Sequence, residues 1–190
     1  METGNSTRAT LLILGGGLFI GLAIGAVVFF GFPAVQAINP TPAVTSVEPA
    51  PIVGSTAPDF TLANTQGRQI TLSKLKGQPV LINFWATWCG PCRVEMPAIE
   101  AAYQKYKGDG LAVLAVDAGE TEKEVKEFGA ALGLTFDLLL DPTMSVNDAY
   151  RVRAYPSSFF VGRDGTIVAM QIGTMTEGQL AENLDQILPK

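Results

Sequence analysis

Asn83-Phe-Trp-Ala-Thr-Trp-Cys-Gly-Pro-Cys92, NFWATWCGPC, holds both cysteines of the chain. Ahead of it, Pro79 introduces the apolar run Val80-Leu-Ile-Asn-Phe-Trp85, the pattern of a strand covered on both faces. Behind it, Ile99, Ala102, Tyr103 and Tyr106 recur at helical spacing, which predicts a helix from about Pro91 to Lys107. Proline suits a first helical turn, where its missing N–H has no intrahelical partner. A buried strand that passes through a short loop into a helix, with sulfur at the junction, places the chain in the α/β class.

The flanking segments extend this pattern. Asp59–Leu62 and Arg68–Thr71 read as two short strands about the turn Asn64-Thr-Gln-Gly67. Leu111–Val116 is a second buried strand closed by Asp117, and Thr121-Glu-Lys-Glu124 is a capping box ahead of the apolar face Val125, Phe128, Leu132. Phe136–Leu140 is a strand ended by Asp141-Pro142, and Ser145–Tyr150 a short helix. Ser157–Val161 and Thr166–Ile172 flank Arg163-Asp-Gly165 as a hairpin, and Thr176–Leu188 closes the chain as an amphipathic helix. The order predicts an α/β sandwich whose first strands are parallel and whose last two are antiparallel.

The front of the chain differs in composition. Residues 11–32, LLILGGGLFIGLAIGAVVFFGF, carry no charge. At ~1.5 Å per residue they reach about 33 Å, enough to cross a bilayer core of about 30 Å. Arg8 precedes the run and no Lys or Arg follows until Arg68, which orients residues 1–10 to the cytoplasm and the remainder outside. A cleaved signal peptide is the alternative, with Val35-Gln-Ala37 as a small-residue cleavage pattern. Residues 33–53 are proline-punctuated and read as an extended linker. Residues 54–190 form the globular domain.

The 190-residue chain has a formal net charge of −5 and no histidine. The acidic balance argues against nucleic acid, and the missing imidazole removes Ser-His and Cys-His triads and histidine metal sites. Two thiolates alone fall short of a structural zinc set. A bridge closing so short a loop stabilises little. Redox chemistry is the remaining use of the pair. Cys89 at a helix N-terminus has the surroundings that lower a thiol pKa from ~8.5 to roughly 3.5–7.5, and Cys92, one turn in, is placed to resolve a mixed disulfide. Gly90 is read as sparing the sulfurs a crowding side chain. Trp85 is assigned to packing and Trp88 to an exposed docking rim. Arg93 is either a contributor to the field at the sulfurs or a solvated charge.

The core LSKLKGQPVLINFWATWCGPC (72–92), with VGSTAPDFTL (53–62), RVEMP (93–97) and RVRAYPSSFFVGRDGTIV (151–168), resembles the membrane-anchored thiol–disulfide oxidoreductases of the TlpA/ResA type, which share a redoxin domain. The resemblance implies a thioredoxin-like fold with a central mixed sheet flanked by helices, an N-terminal β-hairpin extension and a central helix–strand insertion. It implies a redox-active Cys89–Cys92 disulfide, a cis Pro156 against the sulfurs, a substrate-pairing backbone at Tyr155, and substrate contacts from Trp88, Gly90 and Pro91. Glu95, one helical turn after Cys92, stands where the family places a functional glutamate and is expected to shuttle protons and help gate access; its alternative is a solvated first-turn acid. Asn83 stands where thioredoxins carry a buried aspartate, and an amide does not accept a proton at neutral pH. No cofactor is expected. The implied partners are protein disulfides such as those of apocytochrome c haem sites, a membrane electron donor and, through residues 11–32, the bilayer. A dithiol oxidase or isomerase is the competing function, ahead of a peroxiredoxin-type peroxidase or a metal-delivery protein.

Overall fold

The computed structural model describes residues 49–188. The expected cytoplasmic tail, membrane span and most of the linker lie outside these residues. Among the described residues no helix is long and apolar enough to cross a membrane.

Strands β1 (Thr61–Asn64) and β2 (Gln69–Thr71) form a hairpin. Then come β3 (Val80–Trp85), α1 (Gly90–Tyr106), β4 (Ala112–Asp117), α2 (Glu122–Leu132) and β5 (Asp137–Leu140). The short α3 (Ser145–Ala149) leads to β6 (Ser157–Val161), β7 (Ile167–Ile172) and α4 (Glu177–Asp185). The strands make one seven-stranded sheet in the order β2-β1-β5-β4-β3-β6-β7. β3, β4 and β5 are parallel, and β6 and β7 antiparallel, as their sequence patterns predict. The N-terminal hairpin extends the sheet through β1 against β5.

Successive side chains of a strand point to opposite faces, and β3 shows the consequence. Leu81 and Trp85 enter the layer shared with Met96 and Ile99 of α1, Phe128 of α2 and Leu184 of α4. Ile82 and Phe84 enter the opposite layer, with Phe60, Val146, Tyr150 and Phe159. All six residues of β3 are buried, so the strand is covered on both faces.

Element ends depart from the sequence pattern where side chains take backbone donors. β1 begins at Thr61 rather than Asp59; the Asp59 carboxylate instead accepts the Ser73 N–H at 2.8 Å. β7 begins after Thr166, whose N–H goes to Asp164 Oδ1 at 2.9 Å. The Thr121–Glu124 capping box is formed in both directions, and a second one, unread in the sequence, joins Thr176 to Gln179 at the head of α4. Such a cap contributes about 1 kcal/mol. Thr121→Ala therefore lowers the urea midpoint by an amount equivalent to roughly 1 kcal/mol, with an unchanged m-value.

Candidate active site

The C-terminal end of β3 delivers the chain to the mouth of α1. Trp85 is fully buried and its ring lies 4.5 Å from that of Phe128, which anchors the strand end. The next residues turn tightly, with the Cys89 N–H donating to Ala86 O at 3.2 Å. Cys89 is the N-cap of α1 and Cys92 sits in its first turn. They form a disulfide with Cα atoms 5.3 Å apart, within the ordinary range. Cys92 is the more buried, at 1% exposure against 5% for Cys89. The Cys92 N–H points at Cys89 Sγ, 3.2 Å away. That donor, with the positive end of the helix, favours a thiolate on Cys89 once the bond opens.

Gly90 and Pro91 are exposed at the start of the helix. A Cβ on Gly90 would meet nothing within 4 Å. Its chain neighbours Cys89 and Pro91 aside, such a side chain therefore does not crowd Cys92. Trp88 is 68% exposed, and its ring meets that of Tyr155 edge-on at 5.7 Å. The Tyr155–Pro156 peptide is cis, and Pro156 O accepts the Gly173 N–H at 2.8 Å. The arrangement brings the Pro156 loop against the loop that carries Cys89. Arg93 places its guanidinium 4.6 Å from the centre of the Phe128 ring and donates to Thr87 O at 3.4 Å.

Glu95 is 2% exposed, so the solvated first-turn alternative does not hold. Its Oε1 accepts from Asn83 Nδ2 at 3.2 Å and its Oε2 from the Met175 N–H at 2.7 Å. Asn83 also donates to Ser158 Oγ at 2.9 Å. Burial pushes the Glu95 carboxyl above the usual carboxylate range, against the opposing effect of the Met175 and Asn83 hydrogen bonds. Asn83 thus serves as a donor to Glu95 in a place where an aspartate would repel it.

A second group of acids was not legible as functional in the sequence. Asp117 and Asp141, read only as strand terminators, are both fully buried at the ends of adjacent parallel strands. Asp117 lies beside Trp85 in the register of β3 and β4. Its Oδ1 accepts the Asp141 N–H at 2.7 Å and its Oδ2 the Glu120 N–H at 2.5 Å. The available signal was positional, since side chains at the carboxyl ends of parallel strands line the functional edge of such sheets. Among the described residues, no group of three or more His, Cys, Asp or Glu side chains is arranged to hold a metal.

The AhpC/TSA family model matches residues 53–170. The chain belongs to the AhpC/TSA family. It is 40% identical over 133 residues to the thiol–disulfide oxidoreductase ResA of Bacillus subtilis, covering 70% of this chain and 74% of ResA. It is 42% identical over 132 residues to the thioredoxin-like protein YneN of the same organism, covering 68% of this chain and 76% of YneN. Among solved structures, StoA from Bacillus subtilis superposes with a TM-score of 0.59 at 29% identity, over 67% of this chain and 96% of StoA. The thioredoxin domain of a thiol–disulfide oxidoreductase from Bacteroides vulgatus, 24% identical, shares the fold with a TM-score of 0.66, over 73% of this chain and 99% of that domain. This AhpC/TSA member is a thiol–disulfide oxidoreductase with a thioredoxin-like fold and a Cys89–Cys92 pair.

Burial, more than the neighbouring Glu120 and Asp141 charges, raises the Asp117 carboxyl to about 6, against the opposing Asp141 and Glu120 N–H bonds. A folded-state value above the unfolded one means the native state holds this proton more tightly. The stability it contributes is present below about pH 4 and is lost as pH rises through about 6. Asp117→Asn removes this loss. Its stability relative to wild type should improve from pH 4 to pH 7 by an amount on the order of 3 kcal/mol, measured by urea unfolding at each pH.

Proposed function

We propose that this oxidoreductase is an exported, membrane-held reductase of protein disulfides. The apolar run 11–32, with its flanking charge asymmetry, supports a retained span with residues 54–190 on the outer or periplasmic side. The linker then keeps the domain near membrane partners at raised effective concentration. Disulfides in metalloprotein assembly, including those of apocytochrome c haem sites, are the substrates that the ResA-type resemblance favours.

The reaction runs in two exchanges. The Cys89 thiolate attacks one sulfur of the substrate disulfide; a new S–S bond forms and the other substrate sulfur leaves as a thiolate. The Cys92 thiolate then attacks Cys89, closing the intramolecular bond and releasing the second substrate thiolate. The substrate gains two electrons and two protons, and a membrane dithiol donor restores the pair by the reverse sequence.

The observation that carries the reductive direction is the buried Glu95 carboxyl one turn beyond Cys92. Among the described residues no Lys or Arg pairs with it. Arg93 is turned onto Phe128 and Thr87 O. A strong oxidant stabilises its reduced thiolate form; a neighbouring acid without a cation opposes that and favours the disulfide. Equilibration with a glutathione buffer should give a potential nearer the roughly −270 mV of thioredoxin than the roughly −120 mV of a strong periplasmic oxidant. A value near the latter would reverse the assignment to oxidase. Cys92→Ser in membranes should accumulate mixed disulfides through Cys89 and identify the partner.

Glu95, raised by burial, is the proposed proton carrier for the leaving sulfurs. The wild-type rate profile should show an inflection above the usual glutamate value, protonated Glu95 acting below it. Glu95→Gln should abolish the inflection and slow exchange by about 10²-fold. Superimposable profiles would remove the role.

A further inference from the structure

The turn that presents Cys89 is held from outside at both of its central residues. Thr87 and Trp88 lie between Ala86 O and the Cys89 N–H that closes the turn. The Thr87 N–H donates to Glu120 Oε2 at 2.7 Å, and its hydroxyl donates to the other oxygen of the same carboxylate. Trp88 rests edge-on against Tyr155.

Both supports lead to one buried cluster. The Glu120 N–H donates to Asp117 Oδ2 at 2.5 Å. Asn147 Nδ2 donates to Asp117 O and to Asp141 Oδ2, each at 3.0 Å. Asn147 Oδ1 accepts the Tyr155 hydroxyl at 2.8 Å. Asp117, Asp141 and Asn147 are each no more than 1% exposed. Glu120 itself belongs to neither β4 nor α2; Gly119, at φ +77°, bends the chain between them.

We propose that Glu120 is a positioning residue for thiol–disulfide exchange. It aims the Cys89 turn through both donors of Thr87 and, through Asp117 and Asn147, keeps that turn in register with Tyr155 on the facing loop. Exchange requires the Cys89 sulfur to approach along the axis of the bond being broken, so a small displacement of this turn costs rate directly. A carboxylate suits the task because both Thr87 groups are donors: it offers two acceptor oxygens where an amide offers one. The proposal rests on the exchange chemistry alone. The same mixed disulfide is crossed in either direction, so it stands or falls separately from the reductive assignment and from the membrane location.

The test is single-turnover attack by Cys89 on oxidised glutathione in the full chain carrying Cys92→Ser. Cys89 bonds to one glutathione sulfur and the other leaves as glutathione thiolate. Glu120→Gln and Thr87→Val should each slow the attack by roughly 10-fold or more, while Thr87→Ser, which keeps both donors, stays within about twofold of the parent. A purely stabilising role would lower the melting temperature without changing the attack rate of the folded protein. A purely substrate-docking role would spare this small disulfide. Either result overturns the proposal, and Thr87→Val carries the test if Glu120→Gln does not fold. Tyr155→Phe combined with Thr87→Val should slow attack by less than the product of the single losses, because both act through one cluster. Independent losses would overturn the shared anchor.

Discussion

The chemistry of this chain depends on where β3 stops. The strand is buried on both faces between β4 and β6, and it ends at Trp85, wedged against Phe128. Burial of side chains such as Phe84 and Trp85, each on the order of 1.5–3 kcal/mol, keeps that end from sliding. The chain beyond it has only the turn Ala86–Cys89 in which to reach α1. Because strand side chains alternate, the register that buries Trp85 also sends Asn83 into the layer of α1, where it meets Glu95. A slip of one residue would put Asn83 on the other face and leave Glu95 without that donor.

The sulfurs consequently sit at the mouth of α1. The mouth of α1 supplies an N–H and the positive end of a helix dipole to Cys89. Both favour an attacking thiolate. Glu95, one turn beyond Cys92, and Asp117, at the end of β4, are buried carboxyl groups both pushed upward by loss of solvent. Asp117, raised to about 6, is able to hold a proton near neutrality.

Much of this was legible in the sequence. The unbroken burial of β3, the helix opening at WCGPC and the capping box at Thr121 are local patterns with local causes, and they appear within a residue or two of their expected places. Glu95 could be placed on the Cys92 face from spacing alone. Its burial could not, since that depends on Met175, far along the chain, lending its N–H. The acids Asp117, Glu120 and Asp141 look like turn residues in the sequence, and their convergence on Thr87 and Asn147 appears only when β4 and β5 are side by side.

By itself, then, the order of residues determined the element types, the α/β class and the pairing of two sulfurs at a helix mouth. Hydrogen-bond spacing and side-chain periodicity act over a few residues and leave a readable trace. Only the tertiary structure decided which acids lose their water and which loops brace the Cys89 turn. Desolvation and long-range hydrogen bonds are properties of groups brought together from distant parts of the chain, and no short window of sequence contains both partners.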